Sequence, residues 1–284
     1  MWLAYLALAG RIVLTGYEKI IFKQVAEKSG SVEAVFLIFS TGTVFLTPLV
    51  FTVQPPESYG FLWIATLASL VYTVQTVFYL KALSRGEASL VAPVYYFGLF
   101  FLLFLTTVFL DESLDILKIF GIVLLIYGMS FLNRKQHILH SIKAVLTDKA
   151  CQLMMVSSLL VAVGRTVDGF MVRTVHPIIY AYSLCIITCL FLLLYLLFTR
   201  RLGTAIGLFK SKWKIGSVAG AVDIYSYQLL IFAITRIEVS IAEPASMLGM
   251  IVTVLLAHFI LKEKIRDRLI GVVIMIAGAW FLFL

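Results

Sequence analysis

Ala82-Leu83-Ser84-Arg85-Gly86-Glu87-Ala88-Ser89-Leu90-Val91-Ala92-Pro93 is answered later in the chain by Ala233-Ile234-Thr235-Arg236-Ile237-Glu238-Val239-Ser240-Ile241-Ala242-Glu243-Pro244. The arginine, glutamate, serine and proline recur at one offset of 151 residues, and Glu112 recurs at that offset as Glu263. Past these glutamates the register slips by one residue, so that Gly121 and Gly128 match Gly271 and Gly278. Upstream, Gly10-Arg11 recurs as Gly164-Arg165, and Lys19 and Arg173 each follow their arginine by eight residues. A repeat that spans half the chain marks a duplicated architecture.

The solvent for that architecture is lipid. Of 284 residues, 62% are hydrophobic and 13% charged, and the mean hydropathy is +1.04. Runs of roughly 20 apolar residues, enough to cross a bilayer, fall near 2–25, 32–53, 60–80, 88–110, 115–132, 151–173, 177–198, 213–235, 239–261 and 268–284. The fold class expected is an all-α integral membrane protein of ten transmembrane helices. The domains are a first five-helix repeat (1–132), a basic linker (133–149) and a second repeat (150–284). An odd number of crossings per repeat makes the second enter from the opposite side, so the repeats are inverted relative to each other. Inverted repeats are how many secondary transporters achieve alternating access. The longest polar stretches, 133–149 and 199–214, are too short for a soluble domain. Residues 1–25 show no basic leader or small-residue cleavage site and read as the first membrane helix.

The net charge of +8 does not indicate a nucleic-acid partner. Lys and Arg lie in short loops between apolar runs, where they meet anionic headgroups and set orientation. Loops after helices 1, 3, 5, 7 and 9 carry sixteen basic residues, while the opposite face has little beyond Lys118, Arg173 and Arg236. That bias places the first set in the cytoplasm and both termini outside. Cys151, Cys185 and Cys189 read as small apolar residues rather than a disulfide framework.

The quoted stretches, with Phe109-Leu110-Asp111-Glu112 and Leu261-Lys262-Glu263 behind them, resemble the drug/metabolite transporter superfamily in its EamA-like branch. The resemblance covers the whole chain. It implies a ten-helix carrier in which helices 1, 3, 4, 6, 8 and 9 line a central cavity and helices 5 and 10 lie outside. It implies a small organic substrate such as an amino acid, drug, nucleotide precursor, sugar or quaternary amine. It also implies cytoplasmic termini, opposite to the charge bias.

Charges inside apolar runs mark the site. A charged side chain at the bilayer centre costs on the order of 3 kcal/mol, so it faces a cavity or a partner. The candidates are Arg11 and Glu18 in helix 1, Arg165 and Asp168 in helix 6, Asp223 in helix 8 and Glu243 in helix 9. Four carboxylates against two arginines favour a cation, a zwitterion or a proton over an anion. Glu243 and Asp223 stand where the repeat has Ala92 and Tyr72, so the fold itself does not demand an acid at either. Arg165 and Asp168, three apart, are placed to pair within one helix, and Glu18 shares a face with Arg11 two turns away. Asp168, Glu18 and Glu243 are the candidates for proton or ion coupling. Pro93 and Pro244 each leave a backbone carbonyl without its helical donor. Tyr72, Gln75 and Tyr79 share one face of helix 3, with Tyr96 after Pro93, Tyr17 in helix 1, and Tyr225 and Tyr227 in helix 8. Converging tyrosines would hold a quaternary amine by cation–π attraction; scattered ones are helix packing.

Arg85, Glu87, Arg236, Glu238, Glu112 and Glu263 recur at helix ends and read as loop and cap residues. His137 and His140, in the linker, lack the further ligands of a metal site, and His258 is a helix-packing donor or a proton relay. Without a Walker loop, a metal-ligand spacing or a Ser-His pair, the chain is expected to be no enzyme, to need no cofactor and to use an ion or solute gradient. The function expected is a secondary active transporter for a small cationic or zwitterionic metabolite in the cell membrane. The alternative is an exporter of neutral amino acids, drugs or nucleoside-like solutes. The partners expected are that solute, the bilayer and a coupled proton or sodium ion, with the chain a monomer or homodimer.

Overall fold

The computed structural model describes residues 1–26, 29–85, 94–95, 97–132, 148–252, 255–256 and 269–284. Glu87, Pro93, Tyr96, His137, His140, His258 and Glu263 therefore lie outside the described residues. Among those described there are ten helices and no strands. The first half holds α1 (Trp2–Ala26), α2 (Ser31–Val50), α3 (Phe61–Arg85), α4 (Gly98–Leu110) and α5 (Ile116–Leu132). The second holds α6 (Lys149–Met171), α7 (Pro177–Phe198), α8 (Leu202–Ala233), α9 (Val239–Ser246) and α10 (Leu269–Leu282).

Exchanging the halves maps the main packing pairs onto one another. Helix α1 packs on α8 as α6 packs on α3, α8 on α2 as α3 on α7, and α9 on α1 as α4 on α6. Helices α5 and α10 pack on each other. Their crossing shows the inversion residue by residue. A Cβ on Gly121 would meet Gly278 O at 2.8 Å, and one on Gly128 would meet Gly271 O at 2.9 Å. As residue numbers rise on α5 they fall on α10, so two copies of one sequence run antiparallel. Glycine lets such backbones touch.

Polar contacts between helix ends define two faces of the bundle. On one, Glu112 after α4 reaches the start of α9, and Arg173 after α6 reaches Leu110 O at 2.9 Å. On the other, Arg201 pairs with Glu33 at 2.8 Å, and Lys212 donates to Gln24 O and Val25 O at the end of α1. These are the Glu112 face and the Arg201 face. The largest apolar cluster includes Leu110, Met171, Ile179 and Val239, all at helix ends on the Glu112 face.

Five of the described helices (α2, α6, α7, α8 and residues 61–82 of α3) are long and apolar enough to cross a membrane by themselves. Helices α4, α5, α9 and α10 contribute shorter apolar stretches. The lipid-facing sides of α5 and α10 carry Phe120, Val123, Val273 and Trp280, all exposed. One boundary departs from expectation. Helix α8 starts at Leu202, not near residue 213, and is bent at Lys212 (φ −120°, ψ 20°). The stretch read as polar, 199–214, contains Leu202, Ala205, Ile206, Leu208 and Phe209 at helical spacing, which suffices to form a short helix at the end of the span. The protein is a multi-pass membrane protein.

Candidate functional site

A cavity of about 180 Å³ lies between the halves. Its wall includes Arg11, Thr15, Glu18 and Phe22 of α1, and Tyr72, Gln75, Thr76 and Tyr79 of α3. Arg165 of α6, Asp223 and Tyr227 of α8, and Glu243 and Ser246 of α9 stand on it as well. Successive turns of α1, from Arg11 to Phe22, carry the cavity from mid-helix toward the Arg201 face. Five of the six buried charges singled out in the sequence line it. The sixth, Asp168, lies directly behind.

Asp168 is 0% exposed, and its carboxylate is saturated. Tyr72 donates to Oδ2 at 2.5 Å, and Arg165 Nη1 donates to the same oxygen at 3.1 Å. Tyr180 and Tyr227 donate to Oδ1 at 2.9 and 3.0 Å. A carboxylate offers about four lone-pair positions, and all four are taken. The tyrosines come from α3, α7 and α8, so one anion ties three helices to α6. Sequence reading missed Tyr180, because nothing in its own helix announces a partner on α6.

Arg165 is held from every side. Besides Asp168, its Nη1 donates to the Tyr72 hydroxyl at 3.1 Å. Its guanidinium lies 5.4 Å from the Tyr72 ring centre and 5.2 Å from that of Tyr227. The two rings meet edge to face at 6.2 Å. The aromatic box expected for an incoming amine is thus already filled, by the protein's own cation. The nearest remaining aromatic pair on the wall is Tyr79 with Tyr95, 5.4 Å apart. Tyr17 and Tyr225 do not join the cavity: both are exposed, and Tyr225 donates to Phe45 O.

The outer side of Arg165 carries a second, looser anion. Its Nε stands 3.2 Å from Glu243 Oε2, yet neither atom has hydrogen-bond geometry with any described partner. Glu243 sits one residue before Pro244 in α9, and the proline ring removes the donor that would have closed the turn. Arg11, 7% exposed, is the counterpart of Arg165 in the sequence repeat. It donates to Ser226 Oγ of α8 at 2.6 Å and lies 3.9 Å from Glu18. Gln75 exchanges hydrogen bonds with Ser157 of α6, so it fastens the wall as much as it faces the cavity. Asp223 has no hydrogen bond or ion pair among the described residues; the charges of Glu18, Arg11 and Arg165 act on it through space. Helices α2 and α7 also supply wall residues, among them Phe39, Cys185 and Thr188, beyond the six helices the resemblance implied. The three cysteines are free.

No curated protein matches this chain. A solved structure described only as a crystal structure of a protein superposes over 98% of this chain and 95% of its own, with a TM-score of 0.74 at 14% identity; that likeness is one of fold. The sequence model of one family of membrane carriers matches residues 2–134 and again 148–284, covering both halves. With a match in each of two inverted halves, broken only at residues 135–147, the chain belongs to the EamA-like transporter family of the drug/metabolite transporter superfamily.

Proposed function

We propose that this transporter carries a small zwitterionic metabolite of amino-acid size by alternating access. The observation that carries this reading is the Arg165–Glu243 pair on the cavity wall. Arg165 has one fixed counterion, Asp168, whose acceptor positions are full, and one exchangeable counterion, Glu243, which is 12% exposed. A zwitterion entering between them offers an ammonium to Glu243 and a carboxylate to Arg165. It breaks one ion pair and makes two, so no charge is left buried and unpaired. A simple cation would draw Glu243 away and leave Arg165 with Asp168 alone, and a simple anion would leave Glu243 without a cation. Breaking one member out of a buried pair costs on the order of 3–5 kcal/mol, and that cost selects for both charges together.

Asp223 and Glu18 both line the cavity and are the groups for a coupled proton or sodium ion. Asp168 serves Arg165 rather than an ion. The volume of about 180 Å³ falls below the roughly 300–1,000 Å³ of sites for drug-sized ligands, which favours a single metabolite over a drug. The reading of a quaternary amine held in an aromatic box loses support, because Tyr72 and Tyr227 already enclose Arg165; a betaine would be held by its two charges instead.

Ligand-induced thermal stabilisation in detergent tests the charge logic. Neutral amino acids and betaines should raise Tm, while choline and short carboxylates should not, and Glu243→Gln should remove the effect. Stabilisation by choline alone, retained in Glu243→Gln, would refute the zwitterion assignment.

A further inference from the structure

The cavity does not use the cluster on the Glu112 face. Glu112 follows the first half's α4, is 6% exposed, and accepts the backbone N–H of Val239 at 2.7 Å and of Ser240 at 2.9 Å. A carboxylate from one half thus caps the first turn of α9 in the other, where the helix dipole also favours it. Lys118, likewise 6% exposed, pairs with Glu238 and donates to Ser113 O at 2.9 Å, Ser113 Oγ at 3.0 Å and Ser240 Oγ at 3.4 Å. Arg173 adds a bond to Leu110 O at 2.9 Å. Three helix junctions are thereby pinned together by polar contacts laid over the apolar cluster of Leu110, Met171 and Val239.

We propose that Glu112 and Lys118 form a lock that seals the cavity from the Glu112 face and must break for the cavity to open there. The proposal rests on the transporter reading above. The cavity reaches toward the Arg201 face and ends, on the other side, at the Asp168 cluster and then at this one. Buried ion pairs give little net stability over apolar packing, because the charges regain hydration when parted. The polar part of the seal, where the Glu238 side chain is already 38% exposed, therefore parts at lower cost once water reaches it than the apolar contacts of Leu110, Met171 and Val239 beside it. The lock also grips the helix that carries Glu243, one turn from the capped N–H groups. Movement of Glu243 on binding is transmitted to the seal directly. The same residue types recur in the sequence at Glu263, Glu87, Ser89 and, one residue out of register, Arg268; these four lie outside the described residues.

The test is side-specific labelling of a single cysteine in the cavity, Thr76→Cys in a background lacking Cys151, Cys185 and Cys189. A membrane-impermeant thiol reagent is applied to right-side-out and inside-out vesicles. The full chain should label faster from the Arg201 face. Glu112→Gln should raise labelling from the Glu112 face by about tenfold or more, the population shift expected from losing a charge-assisted cap, and Lys118→Met should act in the same direction. An unchanged ratio of the two rates would overturn the lock. A second arm does not depend on how well Glu112→Gln folds. Ser113→Cys and Ser240→Cys, whose hydroxyls both meet Lys118, are joined by a short bifunctional thiol reagent before the cavity is labelled. Joining should abolish labelling from the Glu112 face and spare it from the Arg201 face; continued labelling from the Glu112 face would overturn the proposal. A cavity cysteine that labels from neither face in any form would refute the transporter reading itself, and the lock with it.

Discussion

At the scale of the residue, the site is decided by how the two counterions of Arg165 differ. Asp168 is buried, saturated and shared among helices, while Glu243 is partly exposed and loosely held. Removing a donor from a buried carboxylate costs about 1–3 kcal/mol. Tyr180→Phe should therefore lower the thermal stability of the detergent-solubilised protein by several degrees, and an unchanged Tm would show that the hydrogen bond to Asp168 carries no weight. Glu243→Gln should express and fold, because Arg165 keeps Asp168, yet lose transport; Asp223→Asn should do the same. Transport rates and expression level measured together decide the point, and full activity in both would remove these residues from the site. Most of this was legible in the sequence. Charges stranded in apolar runs have to converge, and Arg165 with Asp168 announced their pairing by spacing. The spacing could not reveal Tyr180, Ser226 or Ser157, because a hydroxyl on a distant helix leaves no periodic trace on the residue it serves. Nor could it reveal that the tyrosine box was already occupied by Arg165.

At the scale of the element, glycines set how closely helices approach. The α5–α10 crossing depends on Gly121 against Gly278, where a Cβ would lie 2.8 to 2.9 Å from the facing carbonyl. Backbone cannot move aside as a side chain can, so Gly278→Val should separate the helices and lower stability by roughly 1–3 kcal/mol, the range for overpacking. Unfolding in denaturant with and without the substitution measures it. A variant as stable as the parent would mean that the two helices can part at the crossing without loss. The recurrence of Gly121 and Gly128 as Gly271 and Gly278 makes this pairing legible from the sequence, because both copies keep the small residues that the contact needs. The start of α8 was less legible. Its first residues are too mixed in polarity to read as a span, and the bend at Lys212, whose ammonium reaches the end of α1, depends on contacts distant in sequence.

At the scale of the whole molecule, inversion and charge bias make separate predictions. Inversion places residues 51–60 and 199–201 on opposite faces. A cysteine at Glu57 and one at Arg200, both exposed positions, should react with an impermeant thiol reagent from opposite sides of the membrane. The basic loops predict that Arg200 faces the cytoplasm. Labelling of both from one side would break the two-repeat topology, while opposite labelling with Arg200 outside would overturn only the orientation. The duplication was readable from a dozen residues because both copies fold against the same lipid and against each other. The substrate was not readable in that way, since a cavity's chemistry lies where the copies have diverged. Counterflow tests the central claim most directly: liposomes holding the purified protein are loaded with an unlabelled zwitterionic amino acid or betaine, and entry of the labelled solute is followed with no ion gradient present. Wild type should accumulate the labelled zwitterion transiently, and Glu243→Gln should not. Counterflow of choline or a sugar phosphate that persists in Glu243→Gln, with none for zwitterions, would contradict it.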